Sequence, residues 1–379
     1  MFDKFISYVR DIYSSKDAIP LHEPTFIGNE FKYVNDTIKS TYVSSIGEYV
    51  QTFENLIEKY TSATKAVATV NGTTALQVAL KISGIKTGDL VITQPLTFIA
   101  TCNALHYLGA SPIFVDISDK SLSLCPKALE KYLDQNALVS NSKCIHKKTK
   151  KQIKAILPMH TYGHPAQMEE LVAIAGKWKL IIIEDAAESL GSFYKGKHTG
   201  TLGDIGILSF NGNKIITSGG GGMILCNKDE DGVKAKHLTT TAKVPHEYEF
   251  FHDEHGFNYR LPNINAALGC AQMENIEKFL GRKRSLAAKY ESFFKNSEIR
   301  FVKEPDYGQS NYWLNCIIVP DKKFRDEFLK KTNYEKIITR PAWTLMHHLP
   351  MYKNCLKGSL KVSEKIGSTL INIPSTPVI

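Results

Sequence analysis

Short apolar runs recur along the first two-thirds of the chain. Each is followed by a polar turn and then by apolar positions spaced three and four apart. The runs Ala66–Val70, Leu90–Thr93, Ser111–Ile117, Ala155–His160 and Leu180–Glu184 read as strands, and Gly206–Leu208 and Met223–Cys226 as two more. Helical spacing fills the gaps over 75–81, 99–108, 126–134 and 168–178. Leu180-Ile181-Ile182-Ile183 is apolar without alternation, as a central strand covered on both faces requires. Alternating strand and helix predict an α/β fold, a mostly parallel sheet covered by helices.

The flanks read differently. Phe5, Ile6, Val9, Ile12 and Tyr13 make an amphipathic stretch, Leu21–Glu30 is extended, and helices are predicted over 29–40 and 47–61. Beyond Thr239 come a charged, aromatic segment (His246–His255), a helical tract over 263–295, a strand-like Trp313–Val319 and a helix over 322–331. The predicted division is a large domain over 1–245, with an N-terminal arm over 1–28, and a smaller α+β domain over 246–379.

Composition narrows the class. Of 379 residues, 43% are hydrophobic and 22% charged, as in ordinary globular proteins. No apolar run reaches the length of a membrane span, and Met1-Phe2-Asp3-Lys4 does not open a secretory signal, so a cytoplasmic chain with no membrane partner is expected. The seven cysteines are scattered without a C-x-x-C, which suits reduced thiols and no metal. A net charge of +9 favours an anionic partner. Much of the excess sits in Lys143, Lys147, Lys148, Lys150, Lys151 and Lys154, read as a solvated loop between a helix and a strand. No motif or interleaved aromatics accompany it, so nucleic acid is not an expected partner.

Candidate chemistry gathers at predicted strand ends, where open α/β sheets bind ligands. Lys214 lies between Ser209-Phe210 and Gly219-Gly220-Gly221-Gly222, and a lysine held in such a loop can attack a carbonyl as an amine. The glycines read as leaving no side chain in the way of a flat ligand. Asn71-Gly72-Thr73-Thr74 joins a strand to a helix N-terminus, the arrangement that binds phosphate; a plain N-cap has the same sequence. Asp185 ends a buried strand, where a carboxylate needs a cationic partner such as a protonated pyridine nitrogen, or serves as an N-cap or salt bridge. Phe98 offers a stacking face and Ser209 a hydroxyl. There is no G-x-G-x-x-G of a dinucleotide fold.

Five motifs complete the pattern: Asn71-Gly72-Thr73-Thr74-Ala75-Leu76, Pro95-Leu96-Thr97-Phe98-Ile99-Ala100-Thr101, Glu184-Asp185-Ala186-Ala187-Glu188, Ser209-Phe210 through Asn213-Lys214, and Gly256-Phe257-Asn258-Tyr259-Arg260. In this order the chain resembles the DegT/DnrJ/EryC1/StrS sugar aminotransferases, a fold-type I group that uses pyridoxal 5′-phosphate. The resemblance implies Lys214 as the Schiff-base lysine and proton shuttle, Asp185 as the ring-nitrogen partner and Phe98 as the stacking ring. It implies Gly72, Thr73 and Ser209 as the phosphate cradle, with Asn213 beside the lysine. It also implies Glu188, at a position where His or Gln is common, near the cofactor's phenolic oxygen or the substrate. Asn258 would reach the neighbouring subunit's phosphate, which implies a homodimer with shared active sites. Arg260, Arg340, Trp343, His347 and His348 are candidate substrate contacts, and His160 and His164 flank a nearby loop.

Leu21-His22-Glu23-Pro24, Gly28-Asn29-Glu30, Val43-Ser44-Ser45-Ile46-Gly47 and Asn211-Gly212-Asn213-Lys214 resemble the branch named for legionaminic acid biosynthesis. That branch implies a nucleotide-linked 4-keto-6-deoxy, N-acetylated hexose as acceptor and L-glutamate as donor. A 3-keto sugar or keto-inositol transaminase, or a regulator that binds the cofactor without turnover, would carry many of the same residues.

Overall fold

The computed structural model describes residues 1–378. Seven strands form the body of the large sheet: β1 (Lys65–Thr69), β2 (Leu90–Thr93), β3 (Ser111–Phe114), β4 (Gln152–Leu157), β5 (Ile181–Asp185), β6 (Ile205–Ser209) and β7 (Gly222–Cys226). Their order is β1-β7-β6-β5-β4-β2-β3. Neighbours from β6 to β3 run parallel, and β7 lies antiparallel between β1 and β6. Every residue of β2 and β7 is buried, which accounts for their unbroken apolar sequence. Helices Gly72–Ile82 and Ile99–Tyr107 cover one face with Val78, Leu80, Ala104 and Leu105, and Met168–Trp178 covers the other with Leu171 and Trp178.

The basic stretch departs from the expected loop. Ala137–Ser140 and Lys143–His146 form an antiparallel hairpin whose second strand pairs with β4. Asn141 and Ser142, both at positive φ, make the two-residue turn; Lys143 sits on this hairpin and Lys154 on β4, while Lys147, Lys148, Lys150 and Lys151 lie in the turn between the hairpin and β4.

A second sheet joins Arg300–Phe301, Asn315–Ile318, Leu370–Ile373 and Arg340–Pro341, all antiparallel. The expected boundary at 245/246 does not follow the packing. Helix Phe2–Tyr13 buries Phe5, Ile6 and Val9 against Leu286, Tyr290 and Phe328, so the first residues pack with the C-terminal part. Conversely, Asn263–Met273 packs with Phe53, Ile57 and Phe210 of the large domain.

Candidate active site

At the carboxyl ends of β1, β5 and β6 lies a cavity of about 330 Å³ lined by Gly72, Thr73, Phe98, Asp185, Glu188, Ser209, Asn213, Lys214, Trp313 and Trp343, among others. One end is a helix N-terminus. Asn71 Oδ1 accepts the Thr74 amide at 2.9 Å, which caps helix Gly72–Ile82. The amides of Gly72 and Thr73, in the first turn, have no intrahelical acceptor. A Cβ on Gly72 would lie 2.9 Å from the Ser209 Cβ, so glycine is what lets the helix end and the end of β6 close on one anion-sized space.

The run Gly219–Gly222 does not line this cavity. A Cβ on Gly222 would stand 2.5 Å from the Asn71 carbonyl carbon, and one on Gly221 would lie 2.3 Å from Ser218 Oγ. Gly222 therefore serves the close approach of β7 to the β1 turn and Gly221 the fold of its own loop, and none of the run faces a ligand in this cavity.

Asp185 holds the opposite wall. It is 4% exposed, and its Oδ2 accepts the Thr101 hydroxyl at 2.7 Å while Oδ1 accepts the Ala187 amide at 3.2 Å. Thr97 and Thr101 hydroxyls meet at 2.6 Å, so the carboxylate heads a short chain of donors. Burial pushes its pKa up in spite of these donors and the pull of Lys214, as for a carboxylate that a cation beside it would stabilise. Its neighbour Glu184 points elsewhere. Glu184 accepts the Gly200, Leu202 and Gly203 amides and pairs with His160 Nε2 at 2.9 Å. His160 Nδ1 accepts the Ala166 amide, so Nε2 carries the proton and donates to Glu184. Burial alone would raise the Glu184 pKa; His160 and the backbone amides outweigh it and hold it low. His160 is thus a structural partner of a buried anion, and His164 is buried without a partner.

Lys214 stands between the two ends. Its Nζ lies 3.5 Å from Glu188 Oε1 and 3.9 Å from the Trp313 ring centroid. Trp313 Nε1 donates to the Asn213 carbonyl at 2.5 Å, fixing the loop beside the lysine. Phe98, half-exposed at the mouth, meets Trp343 edge-on at 6.2 Å, and Trp343 packs on Tyr162 at 4.8 Å. Trp313 and Tyr162 come from distant positions to which sequence inspection gave no role, and Thr101, though part of the Pro95–Thr101 motif, was given none either.

Five expected contacts lie outside the cavity; one of them, Arg340, is exposed and donates to Asn333 Oδ1 at 2.9 Å. His347 and His348 both direct Nε2 at Glu364 Oε1, at 2.7 and 3.0 Å, on the far side of the turn that carries Trp343. Arg260 donates to Asn258 Oδ1 at 3.0 Å, and both sit on a segment that bridges to Thr69 and Thr240. Neither lines the cavity of its own chain.

A nucleophile-competent lysine, a buried carboxylate short of a cation and an anion cradle in one cavity define an enzyme of the pyridoxal phosphate aminotransferase class. The chain belongs to the DegT/DnrJ/EryC1/StrS aminotransferase family, whose sequence model matches residues 24–379. It is 38% identical over 359 residues to the GDP-perosamine synthase of Escherichia coli O157:H7, covering 95% of this chain and 93% of that one. It is 35% identical to the GDP-perosamine synthase of Caulobacter vibrioides, covering 96% and 94%. A crystal structure of a family aminotransferase from Brucella abortus superposes with a TM-score of 0.84 at 26% identity, covering 92% and 90%. The chain is accordingly a sugar aminotransferase with pyridoxal 5′-phosphate as cofactor. Its residues fit that group: the Gly72–Ser209 cradle suits a phosphate and Asp185 suits a pyridinium. No described helix is long and apolar enough to cross a membrane.

Proposed function

We propose that the enzyme moves the amino group of L-glutamate to C4 of a nucleotide-linked 4-keto-6-deoxy hexose, N-acetylated as in legionaminic acid precursors. The observation that carries the chemistry is the convergence of Lys214, Asp185 and the Gly72–Thr73 helix end on one cavity. Bound pyridoxal phosphate supplies an aldehyde and an electron-withdrawing ring. Lys214 Nζ would be the amine that holds this group, and as a free amine it would carry the proton taken from the amino acid's α-carbon. Asp185 would keep the ring nitrogen protonated. The Gly72 and Thr73 amides with the Ser209 hydroxyl would hold the phosphate, and Phe98 would supply the stacking face.

The 4-position is supported by similarity to GDP-perosamine synthases, since perosamine is a 4-amino sugar. Those names also support a GDP-linked acceptor as the second reading, against the N-acetylated sugar suggested by Leu21-His22-Glu23-Pro24 and the related motifs. A homodimer with shared sites would account for Asn258, which does not line its own cavity, and for the exposed Phe31, Ile38, Tyr42 and Ile46. Its place would be the cytoplasm. The test is the visible absorption of the purified holoenzyme before and after L-glutamate, followed by turnover with UDP-, GDP- and dTDP-linked 4-keto sugars. Glutamate should bleach the band, and one nucleotide sugar should restore it. A spectrum indifferent to glutamate overturns the reading.

A further inference from the structure

Glu188 and Lys214 are placed as more than an ion pair. Glu188 Oε2 accepts the Tyr162 amide at 2.9 Å, which leaves Oε1 facing Lys214 Nζ at 3.5 Å. Among the described residues no other donor reaches Oε1. Glu188 is buried at 1% side-chain exposure, and Lys214, at 14%, faces the cavity. Two carboxyls, Asp185 and Glu188, share this wall with a single ammonium. Asp185 already holds a hydroxyl and an amide donor; Glu188 has the free oxygen. The other titratable groups facing the pair are His22 from the N-terminal segment, whose ring atoms are buried without partners, and the Tyr162 phenol; His160 is committed to Glu184.

We propose that Glu188 is the proton partner of Lys214: the proton passes from Nζ to Oε1, and the lysine becomes a neutral amine without releasing a proton to solvent. One N–H bond breaks and one O–H bond forms, and the pair is neutral overall before and after. The physical reason is the fate of the carboxylate. If Lys214 gave its proton to water, Glu188 would be left buried and charged with no cation, the state that costs most in a low-dielectric interior. Exchange within the pair avoids it. Burial pushes the Glu188 carboxyl up to about 7, against the pull of Lys214 and the Tyr162 amide, which brings an acid within reach of accepting that proton. In the aminotransferase reading this primes Lys214 for the cofactor's aldehyde and for each return of the amine, but the exchange itself belongs to the cofactor-free chain.

The experiment therefore uses the cofactor-free full-length protein and trace acetic anhydride, with acetylation of Lys214 and of exposed Lys143 quantified peptide by peptide between pH 6 and 9. An amine that must shed its proton to water gains reactivity about tenfold per pH unit below its pKa, and Lys143 is the internal reference for that slope. Wild-type Lys214 should change by less than about twofold per unit near pH 7–8.5, because the tautomers of a singly protonated pair interconvert at constant ratio. Glu188→Gln should restore the tenfold slope, and Glu188→Asp should keep it shallow. A wild-type Lys214 that tracks Lys143, or one never acetylated, overturns the proposal without any variant. Failure of pyridoxal phosphate to bind would count against the aminotransferase reading alone.

Discussion

How firmly Asp185 stays charged depends on one hydroxyl. Thr101 has a single proton and spends it on Asp185 Oδ2 at 2.7 Å, so in the contact between the two threonines, at 2.6 Å, it must be Thr97 that donates. Thr101→Val keeps the shape and deletes the donor. A hydrogen bond to a charged group contributes about 1.5–3 kcal/mol, and each 1.4 kcal/mol is about tenfold in an equilibrium constant. Anything that needs Asp185 ionised should therefore weaken by about 10- to 100-fold. The freed Thr97 hydroxyl can turn to Met159 Sδ, 2.9 Å away, so no orphan is created and the lower half of that range is expected. Burial already raises the Asp185 pKa, and losing a donor raises it further, so the variant's deficit should grow as pH falls. The assay is titration of the cofactor-free protein with pyridoxal 5′-phosphate, followed by absorption, at several pH values. An affinity within twofold of wild type across that range, in a folded variant, would refute the role given to Asp185.

Gly72→Ala places a Cβ against Ser209, at 2.9 Å, and should weaken cofactor binding at least about tenfold while overpacking costs about 1–3 kcal/mol in urea unfolding. Glu184→Gln strips the charge that three backbone amides and His160 were arranged around, and should lower stability by about 3–5 kcal/mol; an unchanged denaturation midpoint would count against that network. A raised carboxyl pKa means the folded state holds a proton longer than the unfolded chain, so Glu188 should cost the cofactor-free enzyme stability as pH climbs from about 4.5 toward 7. Glu188→Gln should flatten that part of the Tm-versus-pH curve. Trp343→Ala, at the cavity mouth, should raise the sugar KM by about tenfold, whereas His348→Ala, turned toward Glu364, should leave it within about twofold.

The legible part of this protein is the part governed by local rules. Short apolar runs set against three-to-four spacing placed the parallel strands, and the rule that such sheets bind ligands at their carboxyl ends then drew attention to Gly72, Thr73, Phe98, Asp185, Ser209 and Lys214, all of which line one cavity. What stayed hidden obeys no local rule. Trp313 reaches Lys214 from a hundred residues downstream, and nothing in Asn311-Tyr312-Trp313-Leu314 distinguishes a lysine-facing indole from a core one. An amphipathic face says that helix Phe2–Tyr13 must be covered, but not by what, so its attachment to the C-terminal core was invisible. Glycine was ambiguous for the opposite reason. The absence of a Cβ serves an open ligand face and a close backbone approach equally well, and only the 2.5 Å from the Gly222 Cβ direction to Asn71 decides for the second. His347 and His348 show the limit of reading by composition: they follow Trp343 closely in sequence, yet the intervening turn points them away from the cavity it lines. A residue's type limits what it can do, and the direction of its Cβ, set by contacts far along the chain, decides whether it does.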